Sequence, residues 1–115
     1  MKNRYIRKIN TVKGLIPRGH QGVVNRILID KSTLNAHYFE LVHGTLATGG
    51  GSDYHSHDGE SAFYILKGTV LATVGGKRFR AESGTAIFTP AKTKHKLKAL
   101  TPAEILVIYA PQRSS

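Results

Sequence analysis

The sequence contains no cysteine. Disulfides, thiolate zinc sites and cysteine nucleophiles are therefore excluded. Any metal must be held by histidine, carboxylate, hydroxyl or water. Acidic residues are scarce, 7 against 17 lysines and arginines, for a formal net charge of +10. That imbalance favours anionic partners by long-range attraction without naming one. Nucleic acid, an acidic protein and a carboxylated or phosphorylated small molecule all fit. No apolar run approaches the ~20 residues that cross a bilayer as a helix. The basic start, Met1 to Ile9, lacks the apolar segment and small-residue cleavage site of a secretory signal. A cytoplasmic protein without a membrane partner is the expectation. The 115 residues suit one domain, read as a single unit over 1–115 with an N-terminal arm over 1–20 and a loose tail over 111–115.

No long segment holds a helical period. The apolar pattern is instead short and bounded by glycine. Val23 to Ile29 reads as a strand, as does His37 to His43 with a continuation to Ala47, before Gly49-Gly50-Gly51 breaks the pattern. Ser61 to Leu66, Thr69 to Val74, Lys77 to Ala81, Thr85 to Thr89, Lys94 to Leu100 and Ala103 to Tyr109 follow. Gly75-Gly76 is a two-residue hairpin signal, because such turns need positive φ. Many short strands with glycine turns indicate an all-β sandwich or barrel. Tyr5 to Val12 fits either a short helix or an extended arm.

Within this frame stands His55-Ser56-His57, with His95 downstream. Residues i and i+2 of a strand share a face, with roots about 6.5 Å apart. Two imidazoles can then converge on one divalent ion, and a third from a neighbouring strand completes a three-nitrogen cap. Such a cap leaves coordination positions open, as a catalytic site requires. Histidines with few carboxylates suit iron, manganese, nickel, zinc or copper, and the pattern does not choose among them. The competing reading is a barrel that keeps the histidines but has lost its metal.

The chain resembles the cupin superfamily. Gly49, His55 and His57 match the glycine and paired histidines of the first cupin motif, and Phe63 to Gly68 match its closing strand and turn. Gly84, Pro90 and His95 match the second motif, from which Lys92 departs where a second glycine is usual. The resemblance covers roughly Leu41 to Ile108. It implies a double-stranded β-helix, or jelly-roll barrel. It also implies a metal held by His55, His57 and His95. The family's acidic ligand usually stands six residues before Gly68, where this chain has Ser61. Glu60 is displaced by one, which on a regular strand sends its side chain to the opposite face. Some members of the family lack this glutamate and hold iron with three histidines and water, using dioxygen on small thiols or diketones. Three neutral imidazoles leave a metal dication uncompensated, which favours an anionic, chelating substrate.

The functional expectation is a mononuclear non-haem metalloenzyme, a dioxygenase, isomerase or lyase, acting on a small oxygen-rich molecule. Glu60, Ser61 and Tyr64 are the candidate catalytic residues that move a proton. Phe39, Phe63, Ile65, Ile87 and Leu97 are the candidate pocket lining, though each also suits a core. The alternative is a non-enzymatic module that binds a sugar or small anionic ligand. Asp53, Tyr54 and Asp58 flank the pair as substrate contacts, imidazole-orienting groups or plain turn residues, with Tyr54 expected to face away. His20 reads as a loop residue, and His37 and His43 as packed or exposed histidines. On Lys92 to Lys98, His95, Leu97 and Ala99 share one face, and Lys94, Lys96 and Lys98 the other. That lysine stripe reads as a solvated face. Nucleic acid is disfavoured as a partner, because no recognition helix, zinc finger or stacking-aromatic motif accompanies the charge. By resemblance the protein is a homodimer, with Tyr5 to Leu15 as an exchanged arm.

Overall fold

A computed structural model describes residues 4–113. Residues 1–3 of the arm and 114–115 of the tail lie outside the described residues. A three-residue 3-10 turn, Ile9–Thr11, precedes eight strands: β1 His20–Ile29, β2 Glu40–Ser52, β3 Glu60–Lys67, β4 Thr69–Val74, β5 Lys77–Glu82, β6 Ala86–Thr89, β7 His95–Ala99 and β8 Ala103–Ala110. They form one antiparallel sheet in the order β5-β4-β7-β2-β8-β3-β6, with β1 paired to β2. The sheet curls into a half-barrel and encloses its own core, the all-β jelly-roll architecture expected from the sequence.

Alternation builds that core. On β3 the pattern from Glu60 to Ile65 switches between exposed and buried at every residue. β7 and β8 do the same, with His95, Leu97 and Ala99 and then Ala103, Ile105, Val107 and Tyr109 turned inward. Val42, Ile65 and Val70 are fully buried. At about 25 cal/mol per Å² of apolar surface, each such side chain contributes about 1.5–3 kcal/mol. The outer face of β3, β6 and β8 is also partly apolar, exposing Tyr64, Phe88 and Ile108.

The Gly75-Gly76 turn has positive φ at both residues, 56° and 82°, as a hairpin between β4 and β5 requires. The Gly49-Gly51 segment differs from expectation, because β2 continues through it to Ser52. The reason is space. A Cβ at Gly51 would lie 2.0 Å from the Leu97 carbonyl oxygen, so bare backbone lets β2 reach β7 through the Gly51–Lys98 pair.

The described segments at both ends of the chain are fastened to the barrel. Val12 is buried, Arg26 Nε donates to its carbonyl at 3.2 Å, and Leu15 pairs with Asn25 of the same chain. The tail is tied down at Gln112 and Arg113, unlike the loose segment expected there. Gln112 accepts from Lys31 N–H at 3.0 Å and donates to the Ala36 carbonyl. Arg113 donates from its backbone N–H and its guanidinium to Glu40. Glu40 is only 4% exposed, and a buried carboxylate needs such a cation.

Candidate metal centre

His55 and His57 sit on the connection between β2 and β3, not within a strand. A single antiparallel bridge holds this connection against the start of β7. His55 N–H donates to the His95 carbonyl at 3.1 Å, and His95 N–H to the His55 carbonyl at 2.7 Å. Lys92 N–H donates to the His57 carbonyl at 2.7 Å. The two histidines still point the same way. Ring centroids lie 4.8 Å apart for His55–His57, 4.8 Å for His55–His95 and 5.3 Å for His57–His95. One nitrogen from each falls within 4.8 Å of the others. No carboxylate belongs to that group among the described residues.

Hydrogen bonding decides which nitrogens are free. The Nδ1 of His55 lies 2.6 Å from the Asp53 carbonyl, and the Nδ1 of His95 lies 3.0 Å from the Thr93 carbonyl. A carbonyl only accepts, so each Nδ1 carries the proton and donates. Each Nε2 then keeps a lone pair. The Nε2 atoms of His57 and His95 are buried with no hydrogen-bond partner. Orphaned buried polar atoms are costly unless something binds them. The donor set therefore fits a divalent transition metal. Asp53 orients an imidazole through its backbone carbonyl, not its side chain.

Charge also favours the ligand form. The His57 imidazole is pushed down from 6.5 to about 4, by burial first and then by the positive charges of His55, His95 and Arg113. Burial holds His95 and His20 below their ordinary value as well. The neutral imidazole is the form that ligates.

Two spaces adjoin the group. A narrow interior cavity of about 40 Å³ is lined by His55, His95, Phe63, Leu97 and Tyr109 among others. A wider mouth of about 550 Å³ is lined by His20, His55, His57, Arg18 and Arg113 among others.

The remaining expected site residues divide. Ser61 turns inward, 4% exposed, with its hydroxyl against that of Thr89. Glu60 is exposed, in a surface cleft shared with His57 and Arg113, and its carboxylate stays outside the histidine group. Tyr64 is 45% exposed and lies on the solvent face of β3, away from the histidines. That placement gives a catalytic Tyr64 no support. Phe63 and Leu97 do line the interior cavity. Ile65 and Ile87 are core residues, and Phe39 is 39% exposed ahead of β2.

Three residues at the site escaped sequence reasoning. His20, read as a loop residue, opens β1 with its ring 5.8 Å from His55. Tyr109 packs its ring 5.2 Å from that of His57, and the strand alternation of β8 marks it as inward. Arg113 places its guanidinium 4.0 Å from the Tyr109 ring centroid, and no local signal identifies it. His43, outside the site, is buried and paired with Glu104 at 2.8 Å.

Comparisons place these observations. Among solved structures, an RmlC-like cupin from Shewanella frigidimarina superposes with a TM-score of 0.82 at 17% identity, over 93% of this chain and 90% of that one. The polyketide cyclase RemF from Streptomyces resistomycificus also gives 0.82, at 26% identity, over 100% of this chain and 82% of that one. A predicted oxalate decarboxylase from Thermotoga maritima gives 0.79 at 23% identity, over 92% and 97%. A curated relative, the uncharacterized protein MJ1618 of Methanocaldococcus jannaschii, is 35% identical over 63 residues, 52% of this chain. The match spans about half the length of that relative, 50%. Residues 42–109 match the profile of the cupin domain family, Cupin_2, and with the jelly roll and its inward histidines already described, the chain belongs to that family.

Proposed function

We propose that His55, His57 and His95 hold one divalent transition metal and that the protein is a mononuclear metalloenzyme acting on a small, oxygen-rich, anionic molecule. The observation that carries this reading is the pair of buried, unpartnered Nε2 atoms on His57 and His95. The fixed Nδ1 donors of His55 and His95 support it. When bound, the metal supplies Lewis-acid polarisation of a chelated carbonyl or carboxylate oxygen. The protein does the rest. Three imidazoles bring no negative charge, and Ser61 brings none where a carboxylate would stand. The ligand must then carry the compensating charge. Arg18 and Arg113 line the mouth to receive it. Glu40 holds the Arg113 fork in place through Nε and Nη2. Phe63, Leu97 and Tyr109 exclude water on the inner side. Burial raises the Tyr109 hydroxyl above its ordinary value, so it keeps its proton and stays a donor. The likeness to a polyketide cyclase at 26% identity agrees with an enzymatic reading.

A second reading is a binding module for a sugar or small anion. What favours it is the absence of a carboxylate within the histidine group among the described residues, which leaves no general base beside the ion. Elemental analysis of purified protein, alongside His55→Ala and His95→Ala, tests the metal common to both readings. We expect about one equivalent in the parent and a large loss in each variant. Equal metal content in all three would remove the basis of the proposal. A ligand that raises Tm but is recovered unchanged after long incubation would favour the binding module.

A further inference from the structure

The outer face of β7 carries Lys94 just before the strand and Lys96 and Lys98 on it, all exposed. Sheet register brings a second row of cations beside them. Thr73 of β4 pairs with both Lys96 and Arg78, and Leu71 with both Lys98 and Arg80. Arg78 and Arg80 are exposed on β5. They therefore stand across β4 from the lysines. With strands about 4.8 Å apart, the rows are about 10 Å apart, and cations within a row about 6.5 Å apart.

A groove of about 570 Å³ crosses this face and is lined by Arg78, Lys96 and Lys98. Leu71 and Thr73 of β4 line it on one side of the lysine row, and Gly49, Gly51 and Ser52 of β2 on the other. Tyr54 closes one end. Its hydroxyl accepts from Gly76 N–H at 2.9 Å, and the ammonium groups of Lys94 and Lys96 lie 5.9 and 5.8 Å from its ring centroid. Among the described residues, Asp53 is the sole acidic one lining the groove. Glu82 engages Arg80 only at 4.0 Å. Arg78, Lys94, Lys96 and Lys98 make no salt bridge among the described residues.

We propose that this groove binds the phosphodiester backbone of single-stranded nucleic acid, without base sequence preference. A cation repeat set by alternate residues of a strand suits a ligand with one charge per nucleotide. Tracking of the backbone by a positive groove is how sequence-tolerant single-strand binding works. A duplex is wider than the gap between the rows. Leu71 and Thr73 lie beneath the cations, so no apolar side chain there adds to the attraction of an anionic membrane surface, which the vesicle arm of the test addresses directly. Tyr54 is already engaged by Lys94, Lys96 and the Gly76 N–H, so stacking on its ring is not the basis of recognition. This leaves the phosphates as the recognised group. The proposal is independent of the metal reading, because the cations that carry it, Arg78, Lys96 and Lys98, stand on the outer face of the sheet, opposite to His95.

The test is fluorescence anisotropy of full-length protein with labelled oligo(U) and oligo(dT) of about 20 nucleotides. If about four phosphates are neutralised, log affinity falls with log salt at a slope of about −2.8, or about fifty-fold between 50 and 200 mM. Combined Arg78→Gln, Lys96→Gln and Lys98→Gln should flatten the slope by about 2 and weaken binding at low salt at least tenfold. Combined Lys8→Gln, Lys13→Gln and Lys31→Gln removes the same charge from elsewhere and should leave the slope nearly unchanged. Equal weakening by both triple variants would reduce the effect to net charge and overturn the proposal. So would tighter binding of duplex DNA, polyglutamate or phosphatidylserine vesicles. Lys96→Gln with Lys98→Gln serves as a second variant should the triple one melt early.

Discussion

Acidification of the metal-free protein probes the histidine site without any ligand. His57 is pushed down to about 4 from an ordinary 6.5. Below about 4 both folded and unfolded chains carry the proton, and above about 6.5 neither does. Between those values the unfolded chain binds more protons, so stability is lost as pH falls through the window. The gap, 6.5 less about 4, is about 2.5, and at 1.36 kcal/mol per pH unit the ceiling is about 3.4 kcal/mol. His57 is only half-buried, at a mouth open to water, and solvent screening brings that to about 1–2 kcal/mol. His95 and His20 are lowered in the same direction by burial and steepen the same slope. The assay is urea unfolding of chelator-treated protein at pH 7, 6 and 5, beside His57→Gln. We expect the parent to lose stability faster than the variant. An equal acid slope in both proteins would refute the reasoning. The corollary is that metal affinity also declines with acid, because proton and cation compete for the same lone pair.

Lys92 has a φ of 58° at the position where the second motif usually has glycine. Lys92→Gly should relieve left-handed strain of about 1 kcal/mol, partly offset by glycine's backbone entropy. A Tm rise of about 2–4 °C is expected, and a fall would contradict it. Gly51→Ala should cost at least about 2–3 kcal/mol, since its Cβ would meet the Leu97 carbonyl at 2.0 Å; an unchanged urea midpoint would count against the close-approach argument. We also expect a homodimer that covers part of the outer face bearing Tyr64, Phe88 and Ile108. Sedimentation velocity at micromolar protein checks this, and a single species of monomer mass would speak against it.

Where a feature depends on local chemistry, the chain could be read directly. The Gly75-Gly76 turn, the alternation of β7 and the inward turn of Ser61 all follow from period two and glycine's φ range. The pairing of His55 with His57 was legible from spacing, and His95 was joined to them by the family resemblance, although the pair proved to lie on a connection clipped by one bridge. Long-range features were not legible. Gly49-Gly51 looked like a break because glycine is a poor strand former, and only the neighbouring backbone of Gly22 and Leu97 explains why bare strand is needed there. Arg113 lay in an apparent tail, because its partner Glu40 is 73 residues away. The second cation row on β5 was invisible for the same reason, since sequence does not say which strand lies across β4.

β7 joins the two proposed sites and also separates them. Its inward side chains, His95, Leu97 and Ala99, face the barrel, while Lys96 and Lys98 face the groove. Neighbours one residue apart on a strand point in opposite directions, so charge removal at Lys96 leaves the packing around His95 intact. Perturbations without shared partners add within about 0.5 kcal/mol. The lysine variants should therefore retain the parent's metal content, and His95→Ala should retain the parent's salt slope with oligonucleotides. Coupling between those two measurements would mean that one strand transmits between its faces. In that case the barrel would be a single linked site, and neither proposal could stand in its present separate form.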